Sequence, residues 1–228
     1  FDWLGRVLAG ESAWVKTASS VRLARFLHDR WIAIRQIASS RRVAAPGTGQ
    51  FWTTPLHQSA LRDDPWGESY LMLYSDFVTP DSVLLGRTGT DERALLQQRP
   101  AQFDAQGMRV EQRFATSRDG TRVPYFVVWP RGASASGDNP TLLGAYGGFQ
   151  VSVLPSYQVL RGNGWLARGG VYVVANIRGG GEFGPAWHQA ALKGQRQRAF
   201  DDFIAVAEDL IAAKITSPRR LGIQGGSN

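Results

Sequence analysis

The residues best suited to chemistry stand at the end of the chain. There Leu221-Gly222-Ile223-Gln224 reads as a short strand running into Gly225-Gly226-Ser227-Asn228. A strand followed at once by Gly-x-Ser is the opening of a nucleophile elbow, a turn so sharp that only small side chains fit beside the Ser. Gly225 and Gly226 meet that demand, and the full pattern asks for one more Gly, which would follow Asn228. A Ser so placed attacks an acyl carbon once a base takes its proton. By itself Gly-Gly-Ser suits a flexible loop as well as an elbow; the helix and strand before it are what keep the elbow reading open. An elbow hydrolase carries its acid and its base after the Ser in chain order. All three histidines, His28, His57 and His188, precede Ser227, so none is expected to be that base. His188, beside Trp187, reads as a structural hydrogen-bonding group.

Other candidates carry weaker signals. Tyr146 is either a hydroxyl donor or a core aromatic with its hydroxyl satisfied. Phe149 lines a core as readily as a pocket. Asp201 and Asp202 read as charges favouring the start of a helix. Arg178 and Glu182 flank Gly179-Gly180-Gly181, which looks only superficially like a phosphate-cradling loop. No Lys-Ser/Thr follows it and no helix opens directly from it, so nucleotide binding is not expected.

Two styles of sequence must position these groups. Over residues 1–99, Leu23–Leu27, Trp31–Ile37 and Ser69–Tyr74 read as short strands. Arg41–Gln50 and Ser59–Glu68, with Pro46, Gly47, Gly49, Pro65 and Gly67, read as loops. Many short strands with frequent turns point to an antiparallel sandwich or propeller. From residue 110 the pattern changes. Val110–Thr116 and Val123–Trp129 flank the hairpin signal Asp119-Gly120. Thr141–Ala145 and Val171–Ile177 read as buried strands, the latter through the unbroken apolar run Val171–Ala175, which belongs to a sheet covered on both faces. Arg198–Ala213 has the helical period, with Phe200, Phe203, Ile204, Ala207, Leu210 and Ile211 on one stripe. Strand, crossover helix, strand is the α/β pattern.

Composition narrows the class. The chain has 228 residues, 43% apolar with 8 Trp and 11 Phe, enough for a sizeable core in one or two domains. Its net charge of +7 is spread along the chain without a basic stripe, so a nucleic-acid partner is not expected. The absence of Cys excludes disulfides, thiolate zinc sites and a cysteine nucleophile, and suits cytoplasm or periplasm equally. No apolar run is long enough for a membrane span, and these residues contain no signal-peptide pattern. Neither a metal nor a cofactor is called for.

Several longer motifs carry a family resemblance. Gly144-Ala145-Tyr146-Gly147-Gly148-Phe149, Ala175-Asn176-Ile177-Arg178-Gly179-Gly180-Gly181-Glu182-Phe183-Gly184 with Trp187-His188, Phe200-Asp201-Asp202-Phe203, and Thr216–Leu221 followed by Gly225-Gly226-Ser227-Asn228 stand in order. Together they resemble the prolyl oligopeptidase family of serine peptidases over most of residues 70–228. Asn228, where the oligopeptidase B branch usually has Ala, favours the prolyl branch. The resemblance implies an α/β-hydrolase domain preceded by a β-propeller, both partial: residues 1–99 as the last blades and 100–228 as the front of the catalytic domain. It implies that Ser227 forms the acyl-enzyme. The Tyr146 hydroxyl and the Asn228 backbone N–H would bind the oxyanion, and Phe149 would line the substrate pocket. The expected substrate is a short peptide cleaved after proline. Another hydrolase activity on the same scaffold, such as an acyl-aminoacyl peptidase or esterase, or an inactive binding fragment, is the alternative. The triad Asp and His are expected beyond Asn228, so the chain reads as truncated and, by itself, inactive.

Overall fold

The computed structural model describes residues 49–55, 69–87 and 90–227. The expected strands Leu23–Leu27 and Trp31–Ile37 and the expected loop Ser59–Glu68 lie outside these residues. One compact unit gathers residues 49–53, 72–84 and 95–227, and the remaining described residues fall in a second.

Four strands form the first sheet: β1 (Gly49–Pro55), β2 (Ser69–Asp76), β3 (Ser82–Arg87) and β4 (Arg93–Gln98), hydrogen-bonded in sequential order. β1 starts at Gly49, inside the stretch expected as a loop to Gln50; pairing in the sheet overrides the local turn signal of Gly47 and Gly49. After β2 the chain turns on Asp76, whose Oδ1 accepts the N–H of Val78 at 2.8 Å and of Thr79 at 2.5 Å. This short-range side-chain bonding is typical of Asp in turns.

The second sheet is mixed. β5 (Arg109–Thr116) and β6 (Arg122–Trp129) form the expected hairpin, with Thr116 opposite Arg122. Gly120 takes φ 83°, the left-handed conformation that the Asp-Gly signal foresaw. β7 (Thr141–Ala145) leads through α1 (Val159–Gly164) to β8 (Val171–Ala175). The chain then passes α2 (Pro185–Gln189) and α3 (Gln197–Ala212) to β9 (Leu221–Gln224). The sheet order is β5-β6-β8-β7-β9. β7 lies parallel to both β8 and β9, and β6 is antiparallel to β8.

Side chains alternate between two cores with the strand period of two. Val123, Tyr125, Val127 and Trp129 of β6 join Val171, Val173 and Ala175 of β8 on one face, under Ala199, Val206 and Leu210 of α3. Phe126 and Val128 join Tyr172 and Val174 on the other, under Leu166 and Phe77. The Phe77 ring meets Phe126 at 5.7 Å and Tyr172 edge-on at 6.2 Å. β8 is buried at all five positions, as its unbroken apolar run predicts. Each Val so buried contributes about 1.5–3 kcal/mol.

The helix α3 forms where periodicity places it, but rotated by one position. Its buried residues are Ala199, Asp202, Ala205, Val206 and Leu210, while Phe200 and Ile204 are half exposed. The rotation is set by a charge. Asp202 is fully buried, and it faces Arg178, itself 4% exposed at the end of β8. Asp202 accepts from Arg178 Nε at 2.9 Å, from Nη2 at 2.6 Å and from its backbone N–H at 2.9 Å. Arg178 Nη1 reaches Asp119 of the hairpin turn at 2.5 Å. Asp202 is therefore no helix-start charge: it stands in the second turn and neutralises a buried guanidinium. Helix α1 has no clear signal in the sequence because Gly162 and Gly164 weaken it. Gly162 is required there, since a Cβ would lie 2.0 Å from Phe103 Cδ1.

Breaking this pair leaves an uncompensated buried charge, which costs about 3–5 kcal/mol. Arg178→Met is therefore expected to lower urea-unfolding stability by that amount, and Arg178→Met combined with Asp202→Leu to recover most of it. The hydrogen bond from Arg178, supported by those from Thr121, holds the Asp119 carboxyl well below the usual carboxylate range. Its contribution to stability is thus complete above about pH 4 and is lost as pH falls through the acid range below. Urea titrations across pH should show a shallower acid limb for Asp119→Asn than for the unaltered protein.

Candidate active site

β7 and β9 are parallel neighbours paired up to Gly144 opposite Gln224. Tyr146 follows two residues after Gly144, and Ser227 three after Gln224. Both therefore leave the sheet at the carboxyl edge of adjacent strands. From β7 the chain crosses to β8 on one side and then returns to β9 on the other, with α3 on the face opposite Leu166. Such a switch of direction opens a crevice at the strands' carboxyl ends, where α/β sheets bind ligands.

Ser227 has φ 64°, in the left-handed region that Ser rarely adopts. A strained turn immediately past a strand is what lifts a nucleophile above its sheet. Ser227, Gly225 and Gly226 are all exposed. Tyr146 is half-buried on the loop after β7, outside both cores. Phe149 is 74% exposed, which removes the core reading. It and Gln150 take φ 50° and 57°. Two successive non-glycine residues in this region cost on the order of 1–3 kcal/mol each and persist only where surroundings impose them. Asn228 lies outside the described residues.

What imposes the turn is the loop after β8. Gln150 N–H donates to Gly179 O at 3.3 Å, and Gly181 N–H to Val151 O at 3.2 Å. Val153 N–H donates to Glu182 Oε1 at 2.8 Å, while Asn176 Nδ2 donates to Val153 O at 2.7 Å and to Glu182 Oε1 at 3.1 Å. Arg196 donates to Gly147 O. His188, the one histidine among the described residues, lies with Nδ1 2.7 Å from Gly179 O and 3.1 Å from Gln150 N. A proton on Nδ1 satisfies Gly179 O, which then accepts from both groups. His188 thus has the structural role read for it. Asp201 accepts only from Gln197, at 2.9 Å, on the helix surface.

The glycines of the second loop let the two loops interlock. A Cβ on Gly179, at φ 99°, would lie 2.2 Å from Gly147 O, and one on Gly181 would lie 2.2 Å from Gln150 O. The Gly-Gly-Gly run is therefore a contact surface for backbone. Its mechanical role is not among the sequence expectations; the one local signal for it is three glycines followed by an acid in a polar loop.

A cleft of about 460 Å³ lies against β2, β3 and β4, away from these groups. Asp81 and Arg99 on its wall pair with each other at 3.1 Å, so their charges are mutually satisfied. Among the described residues no group of His, Asp and Glu could hold a metal ion, and no helix is long and apolar enough to cross a membrane.

The fold and the edge described define an α/β protein with its candidate site at the carboxyl ends of parallel strands. Residues 157–228 match the prolyl oligopeptidase family, and the chain belongs to that family. It is 52% identical over 170 residues to an uncharacterised peptidase of Sinorhizobium fredii, covering 75% of this chain and 23% of that protein. It is 30% identical over 218 residues to the prolyl endopeptidase of Elizabethkingia meningoseptica, covering 94% and 30%. Among solved structures, a post-proline cleaving enzyme from Rickettsia typhi matches with a TM-score of 0.64 at 41% identity, over 78% of this chain and 25% of that one. The chain spans about a quarter of the length of these relatives.

Gly179→Ala should expose the interlock. The left-handed backbone alone penalises Ala by about 1–3 kcal/mol, and the approach to Gly147 O adds to it. Thermal unfolding should begin at a lower temperature, while Gly194→Ala, where a Cβ meets open space, should leave it unchanged.

Proposed function

We propose that this chain supplies the nucleophile, an oxyanion donor and a pocket wall of a serine peptidase that cleaves short peptides on the carboxyl side of proline. The observation that carries the reading is Ser227 at φ 64° just past β9, beside the strand whose end bears Tyr146. In this reading Ser227 Oγ attacks the scissile carbonyl carbon, and its proton passes to the triad His. The carbonyl oxygen becomes an oxyanion that accepts from the Tyr146 hydroxyl and the Asn228 N–H. Collapse expels the amine with that proton and leaves an acyl-enzyme, which water then hydrolyses. Phe149, exposed on its strained turn, offers an apolar face to the substrate's proline ring. The triad His and Asp belong to sequence beyond Asn228. The relatives named prolyl endopeptidase support the proline preference.

Residues 1–99 read as the last blades of a propeller and 100–228 as the front of the hydrolase domain. The sequential four-stranded sheet β1-β2-β3-β4 supports this, since a blade is such a sheet. Structures named oligopeptidase B, such as that from Leishmania major at 30% identity, support a second reading with a different residue before the cleaved bond.

In the protein expressed from its complete gene, a fluorophosphonate probe is expected to modify Ser227, as mapped by mass spectrometry; labelling elsewhere with Ser227 intact rejects the assignment. Fluorogenic peptides ending in Pro or in Arg separate the two specificities. Tyr146→Phe is expected to lower kcat about 10²–10³-fold with little change in KM, because the hydroxyl acts when the oxyanion forms. A loss of kcat below about threefold removes Tyr146 from that role.

A further inference from the structure

The loop bearing Phe149 is held by a group that the peptidase reading leaves unused. Glu182 Oε1 accepts Val153 N–H at 2.8 Å and Asn176 Nδ2 at 3.1 Å, and the same Asn176 Nδ2 donates to Val153 O at 2.7 Å. One carboxylate and one amide thus grip both backbone groups of Val153, four residues after Phe149. Asn176, 4% exposed, immediately follows β8, so the grip is anchored to the sheet. The other carboxylate oxygen, Oε2, is buried and has no hydrogen-bond partner among the described residues. Leaving such an oxygen unpaired is costly, and its retention asks for an explanation. Each glycine before Glu182 makes room for this arrangement. Gly179 clears Gly147 O, Gly181 clears Gln150 O, and Gly180 clears Glu182 itself, whose Oε2 would lie 2.2 Å from a Cβ there. The run Gly179–Glu182 therefore has one mechanical output, the path of residues 147–153.

We propose that Glu182 is a positioning residue for substrate selectivity: through Val153 and Asn176 it holds the turn that presents Phe149, and so sets which side chain the pocket accepts. The proposal rests on the reading of Phe149 as a pocket wall. It separates Glu182 from the bond-making groups, because Glu182 reaches the 147–153 loop and makes no described contact with Ser227. A small displacement of a positioning group slows a reaction far more than the strength of its own hydrogen bonds would suggest.

The test uses the protein expressed from its complete gene, with Glu182→Ala, Glu182→Gln, Phe149→Ala and the Glu182→Ala/Phe149→Ala pair. Two fluorogenic peptides differing only in Pro or Ala before the cleaved bond are compared, with fluorophosphonate labelling of Ser227 as a measure of nucleophile integrity. Glu182→Ala is expected to raise KM for the Pro peptide about ten- to a hundredfold and to narrow the Pro/Ala discrimination in step. Labelling and kcat should stay within about threefold. Glu182→Gln, whose amide oxygen still accepts from Val153 and Asn176, should restore both KM and discrimination. In the Phe149→Ala background, Glu182→Ala should add little, as expected of residues acting through one another. Full additivity of the two substitutions, with a normal Phe149→Ala effect, overturns the proposal alone. Phe149→Ala with no effect on KM or discrimination overturns it through the pocket reading beneath it. If Glu182→Ala does not fold, Glu182→Asp, one methylene shorter, is read by the same criteria.

Discussion

A guanidinium buried at the end of β8 must be neutralised where it stands, because a lone charge in a protein interior is far costlier than any surface pair is favourable. Arg178 meets this demand by drawing three separate groups to itself. Asp202 comes from α3, Asp119 from the β5–β6 turn, and Ser117 Oγ accepts at 3.3 Å. The pair fixes the rotation of α3 about its own axis and the closure of the hairpin against it. It also fixes the direction in which the chain leaves β8, and the next residues are the three glycines. The loop that shapes the candidate site thus begins at the charge that organises the sheet's covering.

Beyond Arg178, backbone is packed on backbone. Loops seldom approach so closely, because side chains keep them apart, and Gly179 and Gly181 remove that barrier. Close approach then lets a few hydrogen bonds impose left-handed conformations on Phe149 and Gln150. The strain is local, and the bonds that offset it come from the neighbouring loop. This is the arrangement expected where a side chain must stand in solvent yet point in one direction. It also explains why His188 and Asn176 belong with the site although neither bonds to Ser227 or Tyr146.

Much of the second sheet was legible from the residues. Strands Thr141–Ala145 and Leu221–Gln224 lie where the apolar runs and breakers put them, and Asp119-Gly120 makes the hairpin turn. Period-two and 3.6-residue patterns report burial, and burial is what a covered sheet demands. The face of α3 was legible only to within one position. Hydrophobicity pointed to Phe200 and Ile204, yet a buried carboxylate outweighs a half-exposed apolar side chain when its partner is also buried. β1 and α1 were not legible, because glycine and proline dominate their local signal and pairing or packing overrides it.

The sequence by itself determined the chemistry available: a Ser after two glycines at a strand's end, a Tyr after another strand, and an ordered set of motifs naming a family. It also determined the period of each element, since periodicity is a local property of residue order. Only the tertiary structure decided that β7 and β9 are neighbours, so that Tyr146 and Ser227 leave the same edge of the sheet. It alone decided that Asp202 answers Arg178 and that Glu182 answers Val153. These are meetings between residues far apart in the chain, and no local pattern encodes them; they arise when apolar faces close on each other and leave each buried charge and backbone group to find what lies across the gap.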